Sequence, residues 1–229
     1  MTQPVLIQPV RFWILWTLAT ALGWVVAGAF SAWMVPAFFG WGFFGFLQWL
    51  VLRKALQPIG RWILLSAIAG SLGIGAYAGV EMLLDRYEPP MMWSKMFGGE
   101  DPLQAKDLSA SESEAAAQGG ARDPALWIWA VAGSLLGGLM GALQWAALRS
   151  CVSHAWLWLV ATPLSWAAGA VLVGMFLMPL FYESEEPAFG ALDVFIPVAL
   201  GGLVVGACSG AALVYMIQRS TKEPAQREA

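Results

Sequence analysis

The most specific polar residues in this 229-residue chain are two amides, Gln48 and Gln144. Gln48 lies within Gly45-Phe46-Leu47-Gln48-Trp49-Leu50-Val51-Leu52-Arg53, and Gln144 within Gly141-Ala142-Leu143-Gln144-Trp145-Ala146-Ala147-Leu148-Arg149. One Gly-x-x-Gln-Trp-x-x-Leu-Arg pattern thus occurs twice, 96 positions apart. A carboxamide donates and accepts hydrogen bonds without ionising. In an apolar medium its expected work is bonding between helices, worth ~0.6 and at most ~1.7 kcal/mol per contact. Gly137, Gly141, Gln144 and Leu148 follow at helical steps, which puts the amide on a face of small residues where another helix packs. The sharper reading is a polar ring around a central path. Against it, aligning Gly210 with Gly45 and Gly141 puts Leu213 and Val214 where a third Gln-Trp would be.

Trp49 with Arg53, and Trp145 with Arg149, are also four residues apart. An aromatic anchor beside a snorkelling cation suits a membrane boundary, and contact with anionic lipid headgroups is the sharper version. Gly206-Ala207-Cys208-Ser209-Gly210 superficially suggests a serine nucleophile. The one histidine, His154, lies outside every apolar run and cannot activate it, so a glycine-rich packing face is the better reading. Glu81 and Asp193 fall at the outer ends of apolar runs, where water can reach them. Cys151 and Cys208 sit at different depths and are expected to be thiols, and no C-x-x-C or H-E-x-x-H spacing supports a metal. No catalytic residue, metal or cofactor is expected.

Such residues must be positioned by elements that belong in lipid. The chain is 59% hydrophobic and 12% charged, with 14 tryptophans and 25 glycines, against about half apolar and a quarter charged in a soluble domain. Apolar runs long enough to cross a ~30 Å hydrocarbon core recur between short polar breaks. They predict an all-α, six-helix transmembrane bundle in a single domain over 1–229, with spans at about 12–30, 37–52, 62–84, 125–148, 156–181 and 192–217. Residues 85–123 read as an external, partly disordered loop and 218–229 as a cytoplasmic tail. Ala27-Gly28-Ala29 resembles a signal-peptide cleavage site, but the tryptophans and the Ala-Thr-x-Leu of Trp16 to Trp24 recur from Trp158 to Trp166, as a structural helix would.

Glycines recur every fourth position in two runs, Gly133-Gly137-Gly141 and Gly202-Gly206-Gly210. Small residues at this spacing let helix backbones approach closely in lipid. The odd spans align on Trp16, Trp62 and Trp158, and the even ones on Gly45, Gly141 and Gly210. Three parallel helical-hairpin repeats about an axis along the membrane normal are therefore expected.

Alternating spans leave Arg11, Arg53, Lys54, Arg61, Arg149, Arg219, Lys222 and Arg227 on one side against Glu223 and Glu228, a net of +6. The other side carries Arg86, Lys95, Lys106 and Arg122 against the remaining 13 acidic residues, a net of −9. Basic loops stay in the cytoplasm, so both termini are expected there, in a bacterial inner membrane. The acidic outer surface argues against a nucleic-acid partner.

With Gly-x-x-Gln-Trp-x-x-Leu-Arg followed by Trp62-Ile63-Leu64-Leu65-Ser66-Ala67-Ile68-Ala69-Gly70, the chain resembles a group of uncharacterised multi-pass bacterial membrane proteins. These carry tandem G-x-x-Q-W-x-x-L-R helices, each followed by a helix that opens on tryptophan. The resemblance covers Gly45 to Gly73 and Gly141 to Gly169; it implies the helical architecture and brings no activity with it. The small polar inventory makes a non-enzymatic membrane scaffold or accessory subunit the leading expectation, with membrane lipids and a membrane-protein partner or second copy around it. The alternative is a small-solute transporter or channel with its path along the repeat axis.

Overall fold

The structure is a computed structural model and describes residues 8–31, 34–56, 60–84, 123–183 and 191–227. The expected external loop lies outside these residues, apart from Asp123. Among the described residues the chain is all-helical: α1 Pro9–Ser31, α2 Met34–Leu52, α3 Arg61–Leu84, α4 Asp123–Leu148, α5 Leu157–Glu183 and α6 Ala191–Arg227. Proline is accommodated where helices begin, because the first turn has amides that need no intrahelical acceptor: Pro9 opens α1 and Asp123-Pro124 opens α4. Helix α6 continues to Arg227, past the span end expected at Ile217. Gln, Lys, Glu and Arg are good helix formers, so the loss of hydrophobicity there ends the apolar run without ending the helix.

Among the described residues, four helices are long and apolar enough to cross a membrane, over Pro9–Phe30, Leu126–Leu148, Leu157–Leu177 and Leu192–Thr221. The side chains described in α2 and α3 cover shorter apolar stretches, Ala37–Leu52 and Arg61–Gly75. Large apolar side chains cover the outside: Leu135 and Leu192 are 70% exposed and Phe39 is 66% exposed. A hydrocarbon surface this extensive suits lipid, where helices satisfy their own backbone polar groups.

Each helix packs on its neighbours in sequence, and α6 packs back on α1, closing a ring of six. The turns after α2 and α4 are built alike. The Leu52 carbonyl accepts from the amides of Ala55 and Leu56, both at 2.8 Å, and the Leu148 carbonyl accepts from Cys151 at 2.8 Å and Val152 at 3.1 Å. His154 takes a left-handed φ of 59°, a conformation for which histidine is among the more tolerant residues. Its carbonyl accepts from Leu157 at 2.9 Å to start α5.

Both glycine runs pack on a neighbouring helix. A Cβ on Gly133 would lie 2.7 Å from the Trp166 carbonyl oxygen, one on Gly137 would lie 3.0 Å from Pro163 Cα, and one on Gly141 would lie 3.0 Å from Thr162 Cβ, all on α5. Likewise Gly202 and Gly206 would each come within 2.8 Å of an α1 Cα, of Ala21 and Thr17, and Gly210 within 2.7 Å of the Trp16 ring.

The pattern is exchanged once. Gly137 and Gly202 receive Trp166 and Trp24 from the facing helix, whereas the residue four before Gly45 is Trp41, and its indole covers Gly70 of α3. Trp41 and Trp24 both reach Trp166, at ring-centroid distances of 5.6 and 5.0 Å. With Phe44, Met140 and Val205 they form an upper core layer. The lower layer, toward the basic loops, holds Trp16, Trp62 and Trp158 with Leu52, Leu148 and Leu213.

Candidate functional site

Helices α1, α3 and α5 each carry a tryptophan followed four residues later by a small hydroxyl: Trp16 and Thr20, Trp62 and Ser66, Trp158 and Thr162. Four residues is just over one helical turn, so each pair shares a face, and all six side chains are buried. The three indoles meet in the middle of the ring, every pair 6.0 Å apart between centroids and inclined by 57° to 77°. Inclined aromatic pairs contribute ~0.5–1.5 kcal/mol beyond area burial. Leu52, Leu148 and Leu213, none of them exposed, pack in the same layer.

Burying an indole N–H without an acceptor costs a hydrogen bond, and the amides provide two acceptors. Trp62 Nε1 donates to Gln48 Oε1 and Trp158 Nε1 to Gln144 Oε1, each at 3.2 Å. The amide nitrogens then bond to hydroxyls on other helices. Gln48 Nε2 donates to Thr20 Oγ1 at 3.1 Å, and Gln144 Nε2 donates to Ser66 Oγ at 3.0 Å and more weakly to Gln48 Oε1 at 3.4 Å. Gln48 and Gln144 are 3% and 1% exposed. The network therefore ties α1, α2, α3, α4 and α5 together below the surface.

The third indole corrects the sequence alignment of α6. Trp16 Nε1 donates to Ser209 Oγ at 3.1 Å, while Leu213 joins Leu52 and Leu148 in the core. Ser209 follows Gly206 by three residues, as Gln48 follows Gly45 and Gln144 follows Gly141. The matching glycine is therefore Gly206, and Leu213 corresponds to Leu52 and Leu148 instead of to the glutamines. Gly210 lies one helical turn beyond that position, and the sequence does not separate the two because Gly202, Gly206 and Gly210 offer three equivalent starting points. Ser209 Oγ also donates to the Val205 carbonyl at 2.6 Å. Thr162 Oγ1 is buried and has no hydrogen-bond partner among the described residues.

At the basic rim the Arg53 guanidinium lies over the Trp49 ring at 5.1 Å and that of Arg149 over Trp145 at 5.4 Å. A third pair, Arg219 over Tyr215 at 5.4 Å, also has Arg219 Nε donating to the Tyr215 hydroxyl at 3.1 Å. The three arginines are exposed. Stacking keeps each cation beside an aromatic face at small cost, since an exposed pair is worth ~0.5–1 kcal/mol.

His154 is exposed in the α4–α5 turn, and Asp193 is exposed near the start of α6. The side chain of Glu81 lies outside the described residues. Cys151 is half-buried and Cys208 exposed, both as thiols. Among the described residues no group of three His, Cys, Asp or Glu side chains is placed to hold a metal. The centre consists instead of indoles, amides and hydroxyls, groups that order helices through directional bonds and exchange no proton near neutral pH. Thr20 and the Tyr215–Arg219 pair were not singled out from sequence. Thr20 repeats the tryptophan-to-hydroxyl spacing of Ser66 and Thr162, and Tyr215–Arg219 repeats the four-residue aromatic–arginine spacing, so both signals were present. No family model, curated protein or solved structure matches the chain.

Proposed function

We propose that this chain is a non-enzymatic scaffold or accessory subunit of a bacterial inner membrane. It crosses the bilayer six times as three parallel helical hairpins, with both termini in the cytoplasm. The observation that carries this reading is the filled axis. Trp16, Trp62 and Trp158 occupy the middle of the helix ring, inclined to one another by 57° to 77°, with Leu52, Leu148 and Leu213 around them. A path for a solute needs polar groups facing a space, whereas here the interior amides face indoles and hydroxyls at hydrogen-bond distance. The three hairpins, α1 with α2, α3 with α4 and α5 with α6, each enter from the basic side and contribute one central tryptophan. Trp49–Arg53, Trp145–Arg149 and Tyr215–Arg219 then lie where the cytoplasmic leaflet presents its headgroups.

The test is purification through a C-terminal tag in mild detergent, followed by native mass spectrometry and reconstitution into liposomes. A stoichiometric membrane-protein partner or a defined self-assembly, with liposomes no leakier than empty ones, is the expected result. Saturable flux of a small solute through the reconstituted protein would overturn the scaffold reading in favour of transport.

A further inference from the structure

Three hydroxyls occupy corresponding positions one turn above the central indoles, and only two of them receive a carboxamide. Thr20 accepts from Gln48 and Ser66 accepts from Gln144. Thr162 is 2% exposed and its hydroxyl is unpartnered among the described residues. The residue that would serve it stands on α6. Gly169 of α5 lies against Gly201 and Val205, and the two helices run in opposite directions at ~1.5 Å per residue. Moving from Gly169 toward the basic end reaches Thr162 on α5 at the depth where α6 presents Ser209. Serine is shorter than glutamine by three non-hydrogen atoms, a space on the order of the ~30 Å³ that one water occupies in the liquid.

We propose that this position is an internal water site, in which one water bridges Thr162 Oγ1 and Ser209 Oγ in place of a third carboxamide. The donor count fits. Ser209 spends its proton on the Val205 carbonyl and one lone pair on the Trp16 indole, which leaves a second lone pair to accept from water. Thr162 has its proton and both lone pairs available to the same water. A buried water needs at least two such partners, and removing one of them is costly. The lower core layer is thus completed by two protein amides and one solvent molecule.

The nearly isosteric Thr162→Val separates a hydrated hydroxyl from a dry one. In the full-length protein in bicelles, Thr162→Val is expected to lower the folded-to-unfolded ratio about fivefold or more, with Thr162→Ser closer to wild type because it keeps the hydroxyl. An experimental density map of the wild type should show a water within hydrogen-bond distance of both oxygens. Ser209→Gln should remove that density by placing its amide there. A rise in the ratio for Thr162→Val would mean a dry, unpaired hydroxyl and overturn the site. So would a protein atom at the bridging position, or a fall in the ratio with no water density.

Discussion

Trp41 lies over Gly70, so that a Cβ on the glycine would fall within the indole ring. In the other two helix pairs the large and small partners are reversed, with Trp166 on Gly137 and Trp24 on Gly202. The bundle keeps one bulky ring per contact and is indifferent to which helix supplies it. Gly70→Trp alone should therefore be severely destabilising, since two indoles would compete for one space. Combined with Trp41→Gly it should recover a large part of the loss, a coupling of ~1–3 kcal/mol measurable by a double-mutant cycle of unfolding in bicelles. Strict additivity would show that the two positions do not share a site.

Neighbouring glycines on α4 should behave oppositely. At Gly137 a Cβ would meet Trp166 Cβ at 2.6 Å and Pro163 Cα at 3.0 Å, whereas at Gly138 nothing lies within 4 Å. Gly137→Ala is expected to cost ~1–3 kcal/mol through overpacking, and Gly138→Ala to be neutral or slightly stabilising through helix propensity. Equal thermal stability of the two variants in detergent would show that the stripe is not a packing face.

Removing an interior amide strands the groups around it. Gln144→Leu leaves the Trp158 indole without its acceptor and takes the donor from Ser66, so a loss of ~1–3 kcal/mol is expected. Gln48→Leu should cost a similar amount. The double variant should cost less than the two single losses together because the amides share a hydrogen bond. A double-variant cost equal to the sum would mean that the amides act independently.

The charge asymmetry makes a claim about sidedness. A cysteine introduced by Ser111→Cys in a background lacking Cys151 and Cys208 should react with an impermeant maleimide added to intact cells. Ala225→Cys should react only after the membrane is opened. The reverse pattern would invert the orientation, and labelling of both sites in intact cells would contradict the three crossings proposed between them.

The apolar runs alone mark the helices, because a segment that is hydrophobic all round must satisfy its backbone internally and lipid leaves few other solutions. Spacing also puts Gln144 on the same face as Gly137 and Gly141, since side-chain direction along a helix follows from 3.6 residues per turn. Faces, however, do not specify partners. Trp62 and Trp158 take acceptors only 14 residues away, across the short basic turns. Trp16 takes its acceptor from Ser209, 193 residues away, and local periodicity carries no information about that register. Gly202, Gly206 and Gly210 could each begin the matching motif, and the Trp16–Ser209 bond together with the packing of Gly206 against Thr17 and Thr20 selects one. The pairing of Trp41 with Gly70 was likewise hidden, because neither residue read by itself names its partner and only their contact shows it. Local composition thus determined where the helices run and which faces are small or polar. Closure of the ring decided which indole meets which acceptor, because steric fit between helices distant in sequence sets their relative height.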